Sequence, residues 1–74
     1  MTPYSKRIVI NPKVRFGKPC IKGTRIAVYD VLSWLASGMT NKQILKDFPE
    51  LSNEDITACL SYAASREHNL RIAT

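Results

Sequence analysis

The chain has 74 residues, 45% of them hydrophobic, with 11 basic and 6 acidic side chains and a formal net charge of +5. That length allows one domain with a marginal core, so close helix packing or a partner chain has to supply the rest. The hydrophobic share excludes a wholly disordered chain, and no apolar run nears the roughly 18 residues of a membrane span; no apolar signal core follows Met1–Arg7, so the cytoplasm is the expected compartment.

In chain order, residues 1–6 read as a loose tail. Arg7 to Ile10 is a short β-branched run ended by Asn11-Pro12. Val14 to Phe16 reads as a second extended piece closed by Gly17, and Cys20-Ile21 as a short strand before the Lys22-Gly23 turn. Strands this short do not stand alone, so they are expected to lie on helices or to pair with another chain.

Val28, Val31, Leu32 and Leu35 share one face at i, i+3, i+4, i+7 spacing and predict a first helix over about Val28–Ser37. Asp30 falls in its first turn and Gly38 just past its end, both where a helix favours them. Trp34 lies off the stripe and either covers the strands or marks an interface. Thr40 and Gln43 form a capping-box pair that opens a short helix presenting Ile44, Leu45 and Phe48, stopped by Pro49. Ser52-Asn53-Glu54-Asp55 signals a further N-terminus. Ile56, Cys59, Leu60 and Ala63 form the apolar stripe of a third helix that reaches Arg66 or beyond.

The fold class is therefore mainly α: three helices with a short N-terminal β arm, in one domain over residues 1–74. The arm and its glycine-rich turn occupy 1–27, the helical body 28–68 and a tail 69–74. A short helix, a tight turn and a helix make the layout of a helix-turn-helix.

Charge divides sharply along the chain. Residues 1–25 carry Lys6, Arg7, Lys13, Arg15, Lys18, Lys22 and Arg25 without one acid, whereas the remainder is slightly acidic. A basic arm on an acidic body suggests an anionic polymer or an acidic protein partner.

The string Gly17-Lys18-Pro19-Cys20-Ile21-Lys22-Gly23-Thr24-Arg25-Ile26 carries a family resemblance. With Asn11-Pro12, Phe48-Pro49-Glu50-Leu51, Glu54-Asp55-Ile56 and Tyr62-Ala63 at matching spacings, the segment Ile10–Ala63 resembles the family known as domain of unknown function 433. The resemblance implies a homeodomain-like helix-turn-helix body behind short strands. It also implies an antitoxin-like role in two-component modules, of the VapB-like kind, whose companion looks like a PIN-type ribonuclease toxin. No catalytic residues come with it.

Residue chemistry points away from catalysis. His68 is the one histidine, near the C-terminus, and Asp30, Glu54 and Asp55 lie where caps and helix dipoles explain them. The Gly17–Gly23 loop lacks the GxxxxGK[ST] order of a phosphate-cradling loop. Cys20 and Cys59 stand apart without CxxC or a histidine cluster, so neither a metal nor another cofactor is expected.

For DNA, Asn53 at the start of the third helix can read adenine, and Glu54 or Asp55 can accept from cytosine, but two carboxylates there repel phosphates. The better candidates are Lys13, Arg15, Lys18, Lys22 and Arg25 along an extended backbone, where about four neutralised phosphates give a salt slope of roughly −3.6. A solvated basic surface that aids solubility explains the same residues equally well. Arg25 could also bind Asp30 or helix-end carbonyls.

For a protein partner, Trp34, Tyr62, Arg66 and Arg71 are candidates. A cation inserted into the acidic metal cluster of a PIN-type nuclease would compete with metal or RNA, and Lys6 and Arg7 at one end, or Arg66 and Arg71 at the other, suit that role. Tyr29 is a further candidate aromatic anchor, although core or half-core packing is the favoured expectation for Tyr29 and Tyr62. The expected function is an antitoxin that neutralises a PIN-like ribonuclease toxin and represses its operator DNA as a homodimer. The alternatives are a stand-alone helix-turn-helix regulator and an interaction module without a DNA role.

Overall fold

The computed structural model describes residues 4–70. Two strands and three helices follow in order: β1 (Ile8–Val9), β2 (Cys20–Ile21), α1 (Val28–Ala36), α2 (Asn41–Asp47) and α3 (Asn53–Leu70). The fold is thus mainly α, as the periodicity predicts, and α3 continues past Arg66 to Leu70.

β1 and β2 pair antiparallel with each other, Ile8 opposite Ile21 and Val9 opposite Cys20. The chain then turns at Lys22–Arg25 and returns alongside β2 through a bridge between Cys20 and Ala27. Cys20-Ile21 therefore runs down the middle of a small three-track layer. Its two side chains are buried, whereas β1, at the edge, buries Ile8 and exposes Val9.

Thr24 makes the turn. Its hydroxyl donates to the Ile21 carbonyl at 2.9 Å and accepts from the Ile26 amide at 3.0 Å. Gly23 supplies the left-handed φ of +81° that this reversal needs. The Val28 amide then donates to the Pro19 carbonyl at 2.9 Å, which ties the start of α1 to the arm.

The helix ends follow the sequence signals. Thr40 and Gln43 exchange both capping bonds, at 2.9 and 3.1 Å. Ser52 and Asp55 do the same at the start of α3, at 3.0 and 3.2 Å. Gly38 adopts φ +102° just beyond α1. α3 packs on α1, α2, β1 and the Tyr4–Lys6 turn, and Val31, Ile44, Ile56 and Cys59 are fully enclosed at the centre. Trp34 of α1 stacks on Phe48, with ring centroids 4.2 Å apart and planes 11° from parallel.

Four local expectations are corrected. Residues 4–6, expected as tail, form a 3-10 turn, and Tyr4 meets Tyr62 edge-on at 5.5 Å with its hydroxyl 3.2 Å from Ser65 Oγ. Of Val14–Phe16 only Val14 is extended: Arg15–Gly17 is a tight turn, with Arg15 at φ 51° and Phe16 at φ 58°. Tyr29, expected at the core, is 71% exposed, because the α1 stripe turns Val28 and Val31 inward and leaves Tyr29 between them facing out. Leu60 is also exposed, since Ile56 and Cys59 face the core and Leu60 sits at the edge of that stripe.

Candidate interaction surfaces

The acids and the cations meet different fates. At the start of α3, Asp55 is buried. One of its oxygens accepts the Ser52 amide and the other accepts from Arg7 Nη1 at 3.0 Å. Arg7 Nη2 also reaches Glu54 Oε1 at 3.4 Å. Asp55 is therefore a cap and an ion-pair partner, and it cannot reach a cytosine edge as the sequence reading allowed. Arg7, a candidate for insertion into a toxin, is committed to α3 instead. A pairing 48 residues apart leaves no trace in the sequence, although the Ser-x-x-Asp spacing at residues 52–55 is legible.

Asp55 and burial together push the neighbouring Cys59 thiol up to about 12, burial being the larger cause. That thiol stays protonated and unreactive at neutral pH. Cys20 is likewise a free, buried cysteine.

On the arm, Arg15 rather than Arg25 takes the structural role. Arg15 Nη1 donates to the Arg25 carbonyl at 2.8 Å and to Asp30 Oδ2 at 3.1 Å. Asp30 Oδ2 also accepts the Ala27 amide at 3.0 Å, at the N-terminus of α1. The Arg25 side chain is left exposed. Lys13, Lys18 and Lys22 are exposed as well, and among the described residues none of these four side chains enters an ion pair. The arm's backbone is folded into turns, so these cations do not follow one face of an extended strand as expected. Asn53 is exposed on the first turn of α3.

A second surface lies between α1 and the far half of α3. A groove of about 530 Å³ there is lined by Lys18, Val28, Tyr29, Leu32, Tyr62 and Arg66, among others. The Arg66 guanidinium sits 5.7 Å above the Tyr62 ring and Nη1 donates to the Tyr62 hydroxyl at 3.3 Å. Two expected partner residues, Tyr62 and Arg66, are thus brought together, and Lys18 joins them from the arm. Trp34 is placed elsewhere: it lines a different depression, beside Arg15, Arg25 and Asp30. Arg71 lies outside the described residues.

One residue escaped the sequence reading. Phe16 is 99% exposed on the left-handed turn. The signal that could have found it is an aromatic set between Arg15 and Gly17, in a segment whose other charged residues are all cations.

Known proteins resemble this chain in sequence and fold. Residues 8–63 match the family model described as protein of unknown function, DUF433. The protein y4eO of Sinorhizobium fredii is 34% identical over 56 residues, which is 76% of this chain and 25% of that protein. A crystal structure of a DUF433 member from Anabaena variabilis matches with a TM-score of 0.79 at 30% identity, over 85% of this chain and 62% of that one. The chain spans about a quarter of the length of the first relative and under two thirds of the second. The chain therefore belongs to the DUF433 family.

Proposed function

We propose that this DUF433 member is a non-enzymatic antitoxin of the cytoplasm, a homodimer that holds operator DNA with its arm and a PIN-type ribonuclease toxin with its α1–α3 groove. One observation carries the DNA half: Lys22 and Arg25 protrude from a turn whose fold is accounted for by its other residues, and Lys18 is exposed on the arm just before β2. Gly23, Thr24, Cys20 and Ile21 make that turn and its pairing, while the three cations enter no ion pair among the described residues. Unpaired cations on and beside a hydrogen-bonded turn suit phosphate oxygens. The order of α2, a tight connection and α3 is compatible with a helix-turn-helix whose exposed Asn53 reaches a base edge.

The toxin half rests on Tyr29, Tyr62 and Arg66 at an apolar groove, residue types that dominate binding at protein interfaces. In this reading Arg66, exposed at the groove, is the cation that meets an acidic metal cluster in the partner.

Co-expression with the neighbouring gene, followed by purification and a shift of the shared promoter fragment, tests both halves. A stable complex that shifts the fragment is the expected result. Lys18→Glu, Lys22→Glu and Arg25→Glu together reduce the salt slope of DNA binding by about 3. Unchanged affinity and slope in that variant would remove the arm as the DNA contact. A shift without any co-purifying partner favours a stand-alone regulator.

A further inference from the structure

We infer that Phe16 is a base-stacking residue, an aromatic side chain that inserts against a nucleic-acid base while Lys13 and Lys18 hold the adjoining phosphates. The inference rests on the DNA-binding half of the proposed function and adds to it a stacking contact that the neighbouring lysines cannot make.

Three observations converge on this residue. First, Phe16 is 99% exposed, so its ring contributes nothing to the core. Second, its backbone is strained. Arg15, Phe16 and Gly17 are consecutive residues at φ 51°, 58° and 81°. Left-handed backbone suits Gly17, but it disfavours an arginine and disfavours a bulky phenylalanine more.

The strain is held in place. The Gly17 amide donates to the Val14 carbonyl at 3.1 Å and the Lys18 amide to the Arg15 carbonyl at 3.1 Å. Arg15 is anchored through its guanidinium to Arg25 and Asp30. The turn therefore presents a large apolar ring outward on a hydrogen-bonded base. Glycine at position 16 would relieve the backbone, and packing does not require the ring. A strained, over-determined residue of this kind points to a role outside the fold.

Third, the surroundings select the ligand. Lys13 and Lys18 flank the ring in sequence, both exposed and neither in an ion pair among the described residues. No acidic residue precedes Asp30. An apolar pocket on a protein would accept the ring but would gain from these cations only where acidic side chains rim it. Nucleic acid offers a π-face for the ring and phosphates for the lysines, the pairing by which aromatic side chains stack on bases or wedge between base steps.

The probe is a short fluorescein-labelled duplex from the DNA upstream of the chain's own gene, read by anisotropy between about 50 and 200 mM salt. Phe16→Ala weakens binding on the order of tenfold and leaves the salt slope unchanged, because no phosphate contact is lost. Lys18→Glu lowers the slope instead. Phe16→Trp keeps the affinity, and its added indole emission is quenched when the duplex binds, relative to the parent with Trp34 alone. Circular dichroism confirms that Phe16→Ala folds, as expected for a side chain in no contact with the core.

Binding by Phe16→Ala within about twofold of the parent, while the parent binds the duplex, overturns the stacking role and leaves the DNA reading intact. Loss of toxin capture with DNA affinity retained also overturns it, and makes the ring a protein anchor. Failure of the parent chain itself to bind the duplex overturns both readings.

Discussion

The start of α3 and the turn of the arm are both densely charged, and they use charge in opposite ways. Around Ser52–Asp55 the carboxylates are consumed by the fold: Asp55 caps the helix and pairs with Arg7, and Glu54 stands beside the same guanidinium. Around Lys13–Arg25 only Arg15 is consumed, and the rest project into solvent. Charge in a sequence is thus a poor guide to function until its partners are known. An acid beside a helix N-terminus has local amide donors at hand, whereas a cation on a turn finds no local acceptor of matching charge.

The largest expected effect lies on the α3 side. Asp55→Ala leaves the Ser52 amide without its acceptor and the partly buried Arg7 with the exposed Glu54 alone, and costs about 3 kcal/mol in urea denaturation. A loss below about 1 kcal/mol would mean that Asp55 belongs with the free charges, which would erase the contrast.

Alkali tests the same neighbourhood. Cys59 has a folded-state pKa of about 12 against an ordinary 9.0, so between these values the folded chain keeps a proton that the unfolded chain releases. The contribution of the protonated thiol is fully present below pH 9.0 and is lost as pH rises toward 12. Stability should fall above pH 9.0 by about 1 kcal/mol per pH unit, and Cys59→Ala should abolish that slope while lowering stability at neutral pH.

On the arm the effects shrink and change sign. Phe16→Gly removes left-handed strain and exchanges it for greater freedom in the unfolded chain, a net gain of about 0.5–1 kcal/mol, or roughly 3 °C in Tm. A stabilised variant that also loses DNA affinity would show directly that the turn trades stability for contact. Smallest of all, the triple replacement of Lys18, Lys22 and Arg25 by glutamate should leave urea stability within about 0.5 kcal/mol of the parent. A larger loss would move these cations to the structural side of the comparison.

Local patterns in the sequence determined the three helices and nearly all of their ends. Thr40–Gln43, Ser52–Asp55, Gly38 and Pro49 act on groups within four residues of themselves, so a linear string contains everything needed to read them. The glycine-rich string likewise announced a turn, and Cys20-Ile21 a strand. The tertiary structure decided what lies across the chain. It matched β1 to β2, brought Arg7 to Asp55 over 48 residues, sent Arg15 to Asp30 in place of Arg25, and docked Tyr4 on Tyr62. It also turned Tyr29 outward and bent Val14–Gly17 into the strained turn that exposes Phe16. Each of these depends on which surfaces compete for burial once the helices have packed, and that competition is not written in the spacing of any one segment.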